Sequence, residues 1–387
     1  MDNIKDHTMP KFSANYPHHE DSLLLSTPER LGVNTPYTGK GVVIAFLDAG
    51  FYMHNDIRQR VQLHVDATTA DIREEREVSH VDVTSWHGLM VSTIGAGNGY
   101  TSGGRYTSLA PKSKLILIKV SNPRMGVKEA DILRGFDWLI KNHKKHNIRI
   151  VNVSVGGDNV SDDANHPLHQ SVDELTSAGV TVVISSGNSG LQRIVPPAST
   201  PSAIVVGGYN DNNSTNPNEW YGYHSSYGYA YDGSTKPDVI APAEWIASPI
   251  LPETMVATEA RWLGQLIHDS DGSSLEQLLA SGFKDLNIKE HIAHQPNSAL
   301  YTDLQHRIYS HKIINKYHQY VDGTSVAAPI VSSLVAQMLE ANPTLTPEQI
   351  KAILMETAQP LDTISEQQQG AGAIRVNDAV ATAEKYR

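Results

Sequence analysis

Short β-branched runs alternate with helical patterns along the first half of the chain. GVVIAFLD (41–48), KLILIKV (114–120), IRIVNVSV (148–155), VTVVISS (180–186) and AIVVGG (203–208) are apolar at nearly every position, as strands buried on both faces are. Between them KEADILRGFDWLIKNHKKH (128–146) and DELTSAGV (173–180) read as a helix and a helix end. Fully apolar strands separated by helices predict an α/β fold with a mainly parallel central sheet flanked by helices on both faces. Ligands of such sheets bind outside the carboxyl ends of the strands, so chemistry is sought where these runs break into loops.

The second half departs from this rhythm. Residues 257–319 repeat amphipathic helical spacing, with Leu263, Leu266 and Ile267, then Leu275, Leu278 and Leu279. This predicts a helical insertion at about 251–318, either an embellishment or a regulatory, partner-docking module. After it, Val326, Ile330, Val331, Leu334, Val335 and Met338 recur at helical spacing. Near the end, Thr346, Pro347 and Gln349 form a capping-box pattern for one more helix.

Composition narrows the function classes. With 31 Lys and Arg against 42 Asp and Glu, the formal charge is −11, and no basic block invites a phosphate backbone, so nucleic acid is not expected as a partner. The chain has no cysteine, which removes disulfides, thiolate metal sites and cysteine nucleophiles. No run approaches about 18 uninterrupted apolar residues, so no membrane partner is expected. The opening lacks an apolar region behind a basic start, which makes a cytoplasmic protein the expectation; a secreted one trimmed of its leader would read the same.

Four element boundaries carry chemistry-bearing residues. Asp48 ends the first strand in FLDAG, where an acid at the rim of an apolar layer needs hydrogen bonds. His87 precedes a small residue and an apolar helical pattern in SWHGLMVSTIGAG, Asn188 sits in the turn SSGNSG, and Ser325 opens a helix in DGTSVAAP. Singly, each has a structural reading: a capped acid, a capping histidine, a turn asparagine, an N-cap serine. In chain order Asp, His and Ser are the residue types of a hydrolytic triad.

VVIAFLDAG, HGLMVSTIGAG, VNVSVGG, SSGNSG and above all DGTSVAAPIVSSLVAQML resemble the subtilases, the subtilisin-like serine proteases. The resemblance runs from about residue 35 to the C-terminus, with a gap at about 250–316. It implies a three-layer subtilisin-like fold, with residues 1–34 as an N-terminal extension and 35–387 as the peptidase domain. It also implies a serine endopeptidase with Ser325 as nucleophile, His87 as base, Asp48 as the acid orienting the imidazole, and Asn188 as oxyanion donor. A polypeptide substrate would add as a strand against Ser154, Val155 and Gly156, with the loop at Arg124 to Gly126 on its other side. Ser185, Ser186 and Gly187 would line the primary pocket.

The resemblance is incomplete in places. Leu89, Met90, Thr93 and Ile330 differ from the residues usual at these positions, and 97–111, at the place of a calcium loop, has no clear ligand pattern. No cofactor is needed for the chemistry. The resemblance implies a structural calcium as an open option, with Asp56 matching a calcium ligand of the family, although one hard oxygen falls short of the six to eight that calcium takes. The histidines of HKKH (143–146) lack a third ligand and read as a solvated helix face. Only 47 residues precede Asp48, which resembles intracellular subtilases without a large prodomain and suggests TMPKFSANYP (8–17) as a blocking segment. Two function classes stay open: an active endopeptidase, and a subtilase-fold regulatory or binding protein with little turnover.

Overall fold

The computed structural model describes residues 11–17, 23–78, 80–122, 126–269 and 274–386. Its strands are β1 (Val43–Asp48), β2 (Val61–Asp66), β3 (Arg73–Glu75), β4 (Lys114–Lys119), β5 (Ser121–Asn122), β6 (Gly126–Val127), β7 (Ile148–Val153) and β8 (Thr181–Ser185). Then follow β9 (Ile204–Asn210), β10 (Tyr221–Gly222), β11 (Gly228–Tyr229), β12 (Thr235–Lys236), β13 (Val239–Pro242), β14 (Ile246–Pro249) and β15 (His318–Val321). The helices are α1 (Thr27–Arg30), α2 (Ser85–Ala96), α3 (Glu129–His146), α4 (Pro167–Ser177), α5 (Met255–His268) and α6 (Leu275–Gly282). The remaining helices are α7 (Glu290–His294), α8 (Ser298–Ser310), α9 (Thr324–Ala341), α10 (Pro347–Thr357), α11 (Glu366–Gln369) and α12 (Val376–Lys385).

The chain forms two compact units, one of residues 18–246 with 321–387 and one of 1–17 with 247–320. In the larger unit the sheet runs β10-β9-β8-β7-β1-β4-β2-β3, with β13 also on β9. Neighbours from β2 to β9, and β13 with β9, are parallel, while β3 and β10 close the edges antiparallel. The five apolar runs seen in the sequence became β1, β4, β7, β8 and β9. The predicted 148–155 strand stops at Val153, and the helix end expected at 173–180 belongs to a helix already begun at Pro167.

Alternation along β1 explains the three layers. Ile44 and Phe46 face one core with Met90 and Ile94 of α2 and Val326, Ile330 and Leu334 of α9. Val43, Ala45 and Leu47 face the other, with Ile132, Phe136 and Leu139 of α3 and Leu168, Val172 and Leu175 of α4. Side chains two apart share a face, so one buried strand feeds both cores. Helix α9 is apolar nearly all round, and 83% of its length is buried in the protein, which marks it as the central core helix despite a length and mean hydropathy of 1.2 that would suit a membrane span. The capping box expected at Thr346 forms, with the Gln349 backbone N–H donating to Thr346 Oγ1 at 3.2 Å.

The smaller unit is described by itself. Its own core gathers Ile250, Leu263, Leu266, Leu275, Leu279, Leu300, Leu304 and Ile308, as the amphipathic spacing of 257–319 suggested, and Phe12 joins them. Strands β14 and β15 form a separate two-stranded sheet.

Candidate active site

The site is assembled where the carboxyl ends of β1, β7 and β8 meet the N-terminal ends of two core helices. Asp48 closes β1 and is fully buried. Its Oδ1 accepts the Ala49 backbone N–H at 2.7 Å and lies 2.6 Å from His87 Nδ1. These two bonds satisfy Oδ1 of the buried carboxylate, while the buried Oδ2 has no hydrogen-bond partner among the described residues. His87 reaches it because α2 packs very closely on the chain after β1. A Cβ on Gly88 would sit 2.0 Å from Gly50 O, so only glycine permits this approach. Ahead of α2, Asp82 bonds the Thr84 backbone and hydroxyl and is paired with Lys119 at the end of β4. That pair, with side chains 5% and 8% exposed, ties the start of α2 to the sheet end beside Asp48.

Electrostatics prepare His87 to receive a proton. Burial opposes the charged imidazole, but the Asp48 charge and hydrogen bond outweigh it, so the His87 pKa is raised above its ordinary value. With Nδ1 committed to Asp48, Nε2 is the ring nitrogen left to act as a base. The ring of Trp86, 45% exposed, meets that of His87 edge-to-face at 5.3 Å, so an apolar wall borders the imidazole.

Ser325 is the second residue of α9, and the N-cap is Gly323, at φ 136°. The serine is therefore not the helix cap, and its backbone N–H belongs to the first turn, whose donors have no intrahelical partner. Asn188 is fixed beside it: the Thr324 backbone N–H and hydroxyl donate to Asn188 Oδ1 at 2.8 and 3.0 Å, while Thr324 Oγ1 accepts from the Gly187 N–H at 3.1 Å. Occupying Oδ1 in this way leaves the Asn188 Nδ2 donors for another acceptor. A Cβ on Gly323 would stand in ordinary contact with Nδ2, at 3.5 Å, and it is the φ of 136° that favours glycine there.

A buried polar chain holds the rest. Pro329, inside α9, has no N–H to give Ser325 O four residues back. Ser154 Oγ donates to that carbonyl at 3.3 Å, accepts from Asn152 Nδ2 at 3.1 Å, and Asn152 Oδ1 accepts from Ser332 Oγ at 2.9 Å. Ser154, Val155 and Gly156 leave β7 beside the serine in progressively more exposed chain, and Gly157 N–H anchors the segment to Pro196 O at 2.8 Å. Ser185 ends β8 half-buried, Ser186 is buried, and Gly187 leads into Asn188. Gly126 lies in β6, which pairs with β5, while Arg124 falls outside the described residues.

Asn152, Thr324, Asp82, Lys119 and Pro329 were not singled out by the sequence reading. Asn152, Lys119, Thr324 and Pro329 stood inside quoted stretches and Asp82 did not, but local sequence names none of their partners, several of which lie far away in the chain.

Asp56 stands apart from these groups. Its Oδ1 accepts the Thr101 backbone N–H at 2.9 Å and the Thr101 hydroxyl at 2.7 Å, and its backbone carbonyl accepts from Asn98. Protein donors thus fill the oxygen a cation would need. No group of three or more His, Cys, Asp or Glu suited to a metal occurs among the described residues, and Asp56 Oδ1 is already engaged by Thr101. In 143–146 the solvated reading suits the lysines, whereas His143 is buried with Nδ1 near the Leu139 and Ile140 carbonyls and His146 stacks on Trp138.

Comparison with known proteins places the chain in a family. The profile of the Subtilase family matches residues 39–372. Serine protease AprX of Bacillus subtilis (strain 168) is 29% identical over 351 residues, covering 89% of this chain and 67% of that protein. Subtilisin Savinase of Lederbergia lenta is 30% identical over 190 residues, 49% of this chain and 63% of its own length. Among solved structures, a protease from Pseudoalteromonas arctica superposes with a TM-score of 0.61 at 19% identity, over 97% of this chain and 99% of that one. The self-cleaved protease domain of PatA gives 0.57 at 19%, over 90% and 98%. With the fold, the parallel sheet and the family match in agreement, the chain belongs to the subtilase family and is a subtilisin-like serine protease that acts on polypeptides.

Proposed function

We propose that the chain is an endopeptidase working through an acyl-enzyme, with Ser325 as nucleophile, His87 as general base and acid, and Asp48 holding the imidazole. The observation that carries this reading is the 2.6 Å bond from His87 Nδ1 to a buried Asp48, which fixes the tautomer whose Nε2 can accept a proton. Ser325 Oγ attacks the scissile carbonyl carbon as its proton passes to His87 Nε2. The C–N bond then breaks, the leaving amine takes that proton, and water repeats the sequence to release the acid. Asn188 Nδ2 and the Ser325 N–H hold the oxyanion, aided by the positive end of α9. An extended substrate pairs with Ser154 to Gly156, and its side chain beside the bond enters the space at Ser185 to Gly187.

The test is a fluorophosphonate probe followed by peptide mapping. One adduct on the peptide containing Ser325 is expected, and a folded protein that takes no label, or takes it elsewhere, refutes the assignment. Asn188→Ala is expected to lower kcat by about 10²–10³, a magnitude carried over from subtilisin, with KM little changed. An equal loss in KM alone would remove Asn188 from the oxyanion role.

A further inference from the structure

The helical insertion has no part in the chemistry above, yet it is built around a piece of extended chain. Phe12 is 8% exposed and packs into the core formed by Leu263, Leu300, Leu304 and Ile308. Its ring meets Tyr301 of α8 edge-to-face at 6.4 Å. Next to it, Gln305 of α8 reads the backbone of Ser13 with both ends of its carboxamide: Oε1 accepts the Ser13 N–H at 3.1 Å and Nε2 donates to Ser13 O at 2.8 Å. Ser13 Oγ lies 3.4 Å from Tyr309 Oη. A cavity of about 420 Å³ continues along the same face, between Phe12, Tyr301, Gln305, His306 and Tyr309.

An aromatic anchor in an apolar pocket, beside a side chain that satisfies both backbone groups of the next residue, is how proteins hold extended peptides. Residues 11–17 contribute no helix or strand of their own to this unit, so what holds Phe12 and Ser13 is recognition by α8 and not local structure. We propose that α8 of the insertion carries a peptide-binding site for an extended aromatic-small segment, that residues 11–17 are its resident ligand, and that the site takes this segment in trans when the covalently attached copy is displaced. The insertion thereby becomes the receptor for the N-terminal extension, independent of the reading of Ser325.

The full-length chain carrying Phe12→Ala, which weakens its own segment, tests this with a fluorescein-labelled peptide of residues 8–17. Saturable binding is expected to the Phe12→Ala chain and not to the wild type, whose site is filled. A Phe12→Ala peptide should bind at least about 30-fold more weakly, given what burial of a phenylalanine contributes. Adding Gln305→Ala to the chain should weaken the wild-type peptide by roughly 3- to 10-fold. Mass spectrometry of the recovered peptide verifies that it stayed intact, whatever residue performs the proteolysis. No binding to a folded Phe12→Ala chain, or equal binding of both peptides, overturns the proposal. If Phe12→Ala unfolds the insertion, amide exchange on the Gln305→Ala chain decides instead. Faster exchange at Ser13 with α9 unchanged supports the site, and unchanged exchange at Ser13 overturns it.

Discussion

Replacing Ser325 by alanine is expected to lower kcat about 10⁶-fold, a magnitude carried over from subtilisin, while the protein stays folded and still binds substrate. The structure makes the second half of that expectation specific. Were Ser325 the N-cap of α9, its loss would cost about 0.5–2 kcal/mol of stability. The cap is Gly323, with no side-chain cap bond in this helix, and Ser325 is half-buried at the mouth of the turn. Unfolding free energy should therefore shift by no more than about 0.5 kcal/mol. Chemical denaturation and single-turnover kinetics on the same preparation separate the outcomes. A large loss of rate with unchanged stability identifies a nucleophile. A loss of stability with a modest loss of rate would return Ser325 to a structural role.

That contrast shows what the sequence could and could not convey. The strands of the parallel sheet were legible because burial on both faces leaves uninterrupted apolar runs, and β1, β4, β7, β8 and β9 all have them. Strand β2 was missed because VQLHVD is only partly buried and breaks the run with Gln62 and His64. The true start of α4 was missed because its N-cap is His166, whose Nδ1 accepts from the Leu168 N–H, a cap outside the usual Ser, Thr, Asp and Asn. The same distinction runs through the site. Asp48, His87, Asn188 and Ser325 each stand at an element boundary, where local sequence is informative. The groups that orient them lie across the fold: Thr324 is 136 residues from Asn188, and Ser332 is 180 from Asn152. Phe12 was illegible for a related reason, since one aromatic in a polar stretch has no periodicity to reveal which core it joins.

Asp48→Asn is expected to lower kcat/KM at its plateau by about 10⁴ and to move the acidic limb of the pH profile downward. Both effects follow from one hydrogen bond. An asparagine at this place can present N–H to His87 Nδ1, which forces the ring proton to Nε2, where it can no longer accept one from a serine. The carboxylate's charge, which holds the imidazole pKa above its ordinary value, also disappears, leaving burial to push it down. Because the base must be neutral to work, wild-type kcat/KM should rise through an apparent pKa above about 6.5, the unperturbed histidine value, and the variant's through a lower one. Stability reports the same group with a definite sign. A folded-state pKa above the unfolded one gives stabilisation that is complete below about pH 6.5 and is lost as pH rises through the raised value. Wild-type unfolding free energy should decline through that window, and the Asp48→Asn protein should lack that decline. Buried Lys236, with its pKa pulled down to about 8 chiefly by desolvation, acts in the opposite sense, adding stability as pH rises from there toward the ordinary lysine value. Since Lys236 is common to both proteins, the difference between their stability curves isolates the histidine. If the acidic limb of the variant coincides with that of the wild type, Asp48 does not set the basicity of His87, and the 2.6 Å contact is structural alone.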